Sequence, residues 1–136
     1  MYKRQAVRNA DRPRIHVFLS SSEIHQMHQL RKNREEVMEM AVSMVERAKS
    51  YCPDVEFFPM DATRTNKEYL SQMMEEVIRA GATTINIADT VGYAIPSDFA
   101  ELLRELRRRV HGIDGVTIAS KPVSYTHLTL PTILRV

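Results

Sequence analysis

Side chains alternate between the two faces of a β-strand, and that parity puts several chemically useful groups of this 136-residue chain on one surface. In RIHVFLS (14–20), His16 and Phe18 share a face. In VEFFPM (55–60), Glu56, Phe58 and Met60 share one, and in TTINIADT (83–90), Thr84, Asn86, Ala88 and Thr90 share one. With those faces turned inward, His16, Met60, Asn86 and Thr90 are expected to meet near one rim. An imidazole, an amide and a hydroxyl there could hydrogen-bond a small keto acid and its carboxylate. Alternation alone favours the blander outcome, in which polar inward residues are satisfied core groups.

Other candidates carry less. His25 and His28 in EIHQMHQL stand three apart, but two histidines without a nearby carboxylate or third ligand are weak grounds for a metal. They read as a polar loop or short helix near the rim. Asp61, Thr63 and Arg64 follow the second β-rich run directly. Asp61 either orients its neighbours by hydrogen bonding or caps the following turn. The eight methionines fall mostly at helical core spacing, where flexible thioethers fill gaps. There is no GxGxxG and no P-loop, and neither a Ser-His-Asp nor a Cys-His arrangement can be argued.

The elements that must hold these residues repeat. Arg14–Ser20 reads as a strand. Asn33 is an N-cap with Glu36 three residues on, a capping-box variant. Val37, Ala41, Met44, Val45 and Ala48 then form one helical face, and Cys52-Pro53 ends that helix. Val55–Met60 is the second strand, followed by a helix from Asn66 whose inner face is Leu70, Met73, Met74 and Val77. Gly81 stands where a left-handed C-cap belongs. Thr83–Ala88 is the third strand. Ser97 is expected to open the next helix, which faces inward with Phe99, Leu102, Leu103, Leu106 and Val110. Gly112 closes it, and Val116–Ala119 begins a fourth strand. Strand–helix alternation at about 35 to 40 residues per unit indicates parallel βα units, and the β-branched runs between helices argue against the rival, a periodic helical solenoid.

The two ends do not read like the rest. The codons GTG TAT AAG AGA CAG encode YKRQ after a valine or start codon, and their reverse complement, from its third base, gives VSYT. Residues 1–5 and 123–136 are therefore expected to be translated adapter rather than gene, flanking one domain over 6–122. The formal charge of +2 depends on those ends. Without Lys3, Arg4 and Arg135, 16 basic residues face 17 acidic ones, a net charge of −1. Arg107-Arg108-Arg109 then reads as the solvated C-terminal end of a helix, which suits the macrodipole. No nucleic-acid partner is expected, since no stacking aromatics or binding motif accompany it. No run of about 18 apolar residues predicts a membrane span, and the single Cys52 fits a reducing cytoplasm.

RIHVF, VEFFPMDATR and TTINIADT together resemble the catalytic (β/α)8 TIM barrel of the 2-isopropylmalate synthases. These belong to the acyl-CoA Claisen-condensing group that also holds homocitrate and citramalate synthases. The resemblance covers most of residues 6–120 and implies an α/β fold, a partial barrel of about three and a half consecutive parallel βα units. It implies acetyl-CoA and a 2-oxo acid as substrates, a homodimeric parent, and His16, Asn86 and Thr90 in the keto-acid pocket. Phe58 and Met60 stand where many members carry Ser and Glu, so they join the expected substrate-binding set with altered chemistry. Ala88 replaces a usual Pro. The family's divalent metal ion is held by a DxTLRDGxQ-like motif and a later His-x-His, both outside this segment, as is the leucine-sensing domain. The resemblance therefore assigns neither catalytic nor metal residues here, and the segment alone is expected to be inactive. A homocitrate or citramalate synthase, or a non-catalytic α/β small-molecule-binding domain, are the rival readings.

Overall fold

The computed structural model describes residue 5, residues 9–92 and residues 94–122. Apart from residue 5, the two ends read as adapter lie outside the described residues. Four strands, β1 Ile15–Ser20, β2 Val55–Met60, β3 Thr84–Asp89 and β4 Thr117–Pro122, form a parallel sheet in the order β1-β2-β3-β4. Helices α1 Arg34–Lys49, α2 Lys67–Arg79 and α3 Pro96–Arg109 connect them in turn.

The local signals explain the elements. Asn33 Oδ1 accepts the Glu36 N–H at 2.9 Å while Glu36 Oε2 accepts the Asn33 N–H at 2.9 Å, a complete capping box. Such a cap contributes about 1 kcal/mol. Asn66 caps α2 by accepting the Tyr69 N–H at 3.0 Å. Val37, Ala41, Val45 and Ala48 of α1, and Leu70, Met73, Met74 and Val77 of α2, are buried; Met44 packs half-buried beside them. They cover the sheet face carrying Ile15, Leu19, Val55, Phe57, Ile85 and Ile87, and Phe99, Leu102 and Leu106 of α3 complete the core. Gly81 has φ +110°, and a Cβ there would come within 3.1 Å of the Lys49 side chain. Both the positive φ and the close approach call for glycine.

Four elements differ in their boundaries from expectation, β1 starting at Ile15 rather than Arg14 and β3 running Thr84–Asp89 rather than Thr83–Ala88. Helix α3 begins at Pro96 with Ile95 as N-cap, not at Ser97. Proline's fixed φ suits the first helical position, where its missing N–H costs nothing. The last strand starts at Thr117 and pairs with β3 as far as Pro122, beyond the apolar run that suggested Val116–Ala119.

Register fixes height along the sheet. Strand β1 pairs with β2 from Ile15↔Val55 to Ser20↔Met60, so His16 faces Glu56 and Phe18 faces Phe58. Between β2 and β3 the pairing is Glu56↔Thr84 and Phe57↔Ile85. The side of the sheet away from the helices carries His16, Phe18, Glu56, Phe58 and Asn86.

Candidate functional site

Glu56 is the meeting point of the helix-free face. An acid inside a strand needs partners when it leaves water, and its side chain is only 15% exposed. Asn86 Nδ2 donates to Glu56 Oε1 at 2.6 Å, and His16 Nδ1 lies 3.3 Å from the same oxygen. Arg14 Nη1 stands 3.8 Å from Oε2. The His16 ring packs against Phe18 and Phe58, with centroids 6.2 and 5.5 Å away. Phe58 is buried, and the Lys121 ammonium lies over its ring at 5.4 Å. Asn86 Oδ1 is buried and accepts no hydrogen bond among the described residues.

A second cluster sits at the C-terminal ends of the strands. Asp61, directly after β2, takes left-handed backbone geometry with φ 68° and is fully buried. Aspartate tolerates that region better than most side chains. Its N–H donates to Thr90 Oγ1 at 2.9 Å. Its carboxylate accepts from Arg64 Nε at 2.9 and 3.1 Å and from Nη2 at 2.8 Å. His25 Nδ1 lies 3.3 Å from Asp61 Oδ2 and 2.8 Å from Ser22 Oγ. Burial works to raise the Asp61 pKa, but hydrogen bonds from Arg64 and Ser22 and the charges of Arg64 and His25 outweigh it. The carboxyl is held below its ordinary value. Asp61 makes no side-chain cap to the turn Ala62–Arg64. Of the two roles its position allowed, orienting neighbours is the one observed. Asp89 completes the rim, accepting from Thr63 Oγ1 at 2.9 Å and from the Ala94 N–H at 3.2 Å.

The structure therefore divides the expected site. His16, Phe58 and Asn86 come together, joined by Glu56. Thr90 does not join them. His16 is the second residue of β1, level with Glu56 and Thr84, and Thr90 lies six residues further along the ladder. At about 3.3 Å per residue this is about 20 Å, so His16 and Thr90 do not meet at one rim. Parity assigns a face; only register assigns a height. Met60 shares the face at intermediate height, opposite Ser20, and its carbonyl accepts from the Ser21 N–H and Oγ, both at 3.0 Å.

Sequence reasoning placed Glu56 on this face without making it a site residue, although an acid alone in an apolar run was the available signal. It also passed over Asp89, which follows the same rule. His25 lies in a three-residue helix, Glu23–His25, followed by a π-helical turn, Gln26–Leu30, that ends at Arg31 with φ 53°. His25 turns to Asp61 while His28 is exposed. Among the described residues no group of three or more His, Cys, Asp or Glu could hold a metal ion. The resemblance places the ligands of its divalent cation outside this segment, so these residues neither hold that ion nor argue against it. No described helix is long and apolar enough to cross a membrane.

This geometry has known counterparts. A sequence model of the HMGL-like family matches residues 3–120. The chain is 58% identical over 115 residues to a 2-isopropylmalate synthase of Syntrophus aciditrophicus, covering 85% of this chain and 22% of that protein. It is 51% identical over 115 residues to one from Pyrococcus abyssi, covering 85% and 24%. It thus spans about a fifth to a quarter of these relatives' length. The crystal structure of hydroxymethylglutaryl-CoA lyase from Pseudomonas aeruginosa superposes with TM-score 0.61 at 14% identity, over 86% of this chain and 48% of that one. That likeness concerns the fold: the four strands and their helices form an arc of a (β/α) barrel.

Proposed function

The chain belongs to the HMGL-like family, and from that premise we propose that it is a segment of a 2-isopropylmalate synthase acting in cytoplasmic leucine biosynthesis. The complete enzyme would join acetyl-CoA to 2-oxoisovalerate. A base removes a proton from the acetyl methyl group, and the resulting carbanion attacks the keto carbon. The keto oxygen takes up a proton to become a hydroxyl, and water cleaves the thioester to release the CoA thiol.

The observation that carries this reading is the convergence of His16, Phe58 and Asn86 on Glu56, on the face a barrel turns inward. In this reading the 2-oxo acid lies against Asn86, Phe58 and Met60, with His16 beneath. Thr90 stands at the mouth, where the long thioester arrives. The apolar Phe58 and Met60 suit a branched aliphatic side chain. The described residues supply no cation ligands, so no step is assigned to one.

The test is to assay the complete gene product with acetyl-CoA and a series of 2-oxo acids, following release of the CoA thiol. Turnover fastest with 2-oxoisovalerate is expected. A preference for pyruvate or 2-oxoglutarate would move the assignment to a citramalate or homocitrate synthase. No turnover with any 2-oxo acid would favour a binding domain, the reading that buried Phe58 also suits.

A further inference from the structure

One imidazole at the C-terminal ends of the strands is oriented by a buried carboxylate. Asp61 is fully buried and its carboxyl is held below its ordinary value, so at neutral pH its oxygens only accept hydrogen bonds. The Ser22 hydroxyl has one hydrogen and gives it to that carboxylate. With that hydrogen committed, Ser22 Oγ can only accept from His25 Nδ1, 2.8 Å away, and Asp61 Oδ2 stands 3.3 Å from the same nitrogen. Nδ1 therefore carries the proton, and in the neutral ring the lone pair lies on Nε2. Carboxylates fix catalytic histidines in this way. Arg64 grips the carboxylate through Nε and Nη2, which keeps it charged and in place.

The free nitrogen can be reached. The His25 side chain is 25% exposed, and Nε2 makes no hydrogen bond among the described residues. The Ser21 N–H carries the β1–β2 ladder on to the Met60 carbonyl, and Ser22 keeps extended backbone with φ −72° and ψ 150°. Ser22 thus continues the parity of His16 and Phe18 and draws His25 toward the helix-free side of the sheet. From the other end of the same residue, the Asp61 N–H reaches Thr90. His25 and Thr90 therefore flank Asp61 at the end of the strands that is open to water.

One step of the reaction needs a base in contact with water. Forming the carbanion requires water to be kept away, whereas cleaving the thioester consumes it. We propose that His25 is the general base for the water that cleaves the thioester, with Ser22 and Asp61 as its positioning residues. This deepens the proposed function and rests on it for the reaction. Water gives a proton to Nε2 as its oxygen attacks the thioester carbonyl carbon. The carbon–sulfur bond then breaks, and the imidazolium returns the proton to the departing sulfur. One water is consumed, and one acid and one thiol are formed.

The test uses the complete gene product with acetyl-CoA and 2-oxoisovalerate. Acid-quenched single turnovers are read by mass spectrometry for the condensed thioester, and a thiol reagent follows CoA release. A positioned general base contributes about 10²- to 10⁴-fold. His25→Ala should form the condensed thioester at the wild-type rate, release the thiol more slowly by that factor, and accumulate the thioester. Added imidazole should restore release in proportion to its concentration, a response that a merely structural histidine would not give. Should His25→Ala unfold, His25→Gln takes its place, judged by the accumulated thioester alone, since its amide can donate to Ser22 but takes up no proton. Thiol release at the wild-type rate, equal loss of condensation and release in a folded variant, or accumulation in His25→Ala that ignores imidazole would each overturn the inference. A wild-type enzyme that condenses nothing would refute the proposed function and this step with it.

Discussion

The Asp61 backbone N–H donates to Thr90 Oγ1 at 2.9 Å, and this bond ties the turn after β2 to the end of β3. The Thr90 oxygen serves as acceptor here, and no donation from its hydroxyl is seen among the described residues. Thr90→Val removes both capacities at almost constant shape. It leaves the N–H of a buried residue unsatisfied, so stability should fall by about 1 to 3 kcal/mol. On the proposed placement of Thr90 at the mouth of the pocket, loss of a substrate hydrogen bond should also lower kcat/KM of the complete enzyme about three- to a hundredfold. Thr90→Ser should recover most of both. Chemical denaturation and steady-state kinetics on the three proteins separate the effects, and wild-type stability in Thr90→Val would remove the bond from any structural role.

Acid sensitivity should centre on Asp61. Its folded pKa is depressed, so its contribution is fully present above the unfolded value, about 4, and is lost as pH falls through the lower folded one. Asp61→Asn should therefore be less stable at neutral pH yet lose less stability between about pH 5 and 2. Asp54, Glu36, Glu75 and Glu105 are also lowered and retain part of the acid slope in the variant. Urea midpoints at pH 7 and pH 3 for both proteins check this, and parallel acid limbs would contradict it.

How far the sequence disclosed these features depends on the range of the interaction. Asn33 and Glu36 bond across three residues, and the apolar stripe from Leu70 to Val77 spans two helical turns, so both were legible. Proline at the first turn of α3 outweighs Ser97 as a start signal, a local competition resolved in favour of fixed φ. The shared face of His16, Glu56 and Asn86 followed from parity. Their convergence on one oxygen, and the separation of Thr90 from them, required the pairing of residues 28 to 40 positions apart, which no local pattern contains. The left-handed geometry of Asp61 was equally hidden, because aspartate tolerates that region without requiring it.

Alkaline stability should depend on Tyr69. Burial pushes its phenol up to about 12, against the nearby Arg34 charge. A raised folded pKa means that the contribution is complete below the unfolded value near 10 and is lost as pH climbs toward 12. Across that window the loss is on the order of 2 to 3 kcal/mol. Tyr69 also donates to the Arg34 carbonyl at 2.9 Å, and the Arg34 guanidinium lies 5.4 Å from the ring centroid. Tyr69→Phe keeps the ring contact, should cost about 0.5 to 1.5 kcal/mol at neutral pH, and should flatten the decline between pH 10 and 12. Thermal melts across that range report it.

Among the described residues β1 and β4 are sheet edges, and parallel edges with open backbone groups are templates for pairing. The same helix-free face exposes Phe18 at 53% of its surface. A barrel closes by pairing every strand and filling its interior with side chains from across, and this arc leaves both requirements to other contacts. The chain should therefore self-associate as its concentration rises, by edge pairing and by burial of Phe18. Phe18→Lys places a charge on the exposed face without entering the helix-side core. It should shift light scattering and elution volume toward the monomer while leaving far-UV circular dichroism unchanged. A wild-type chain that stays monomeric with a sharp, concentration-independent melt would show that the edges are protected.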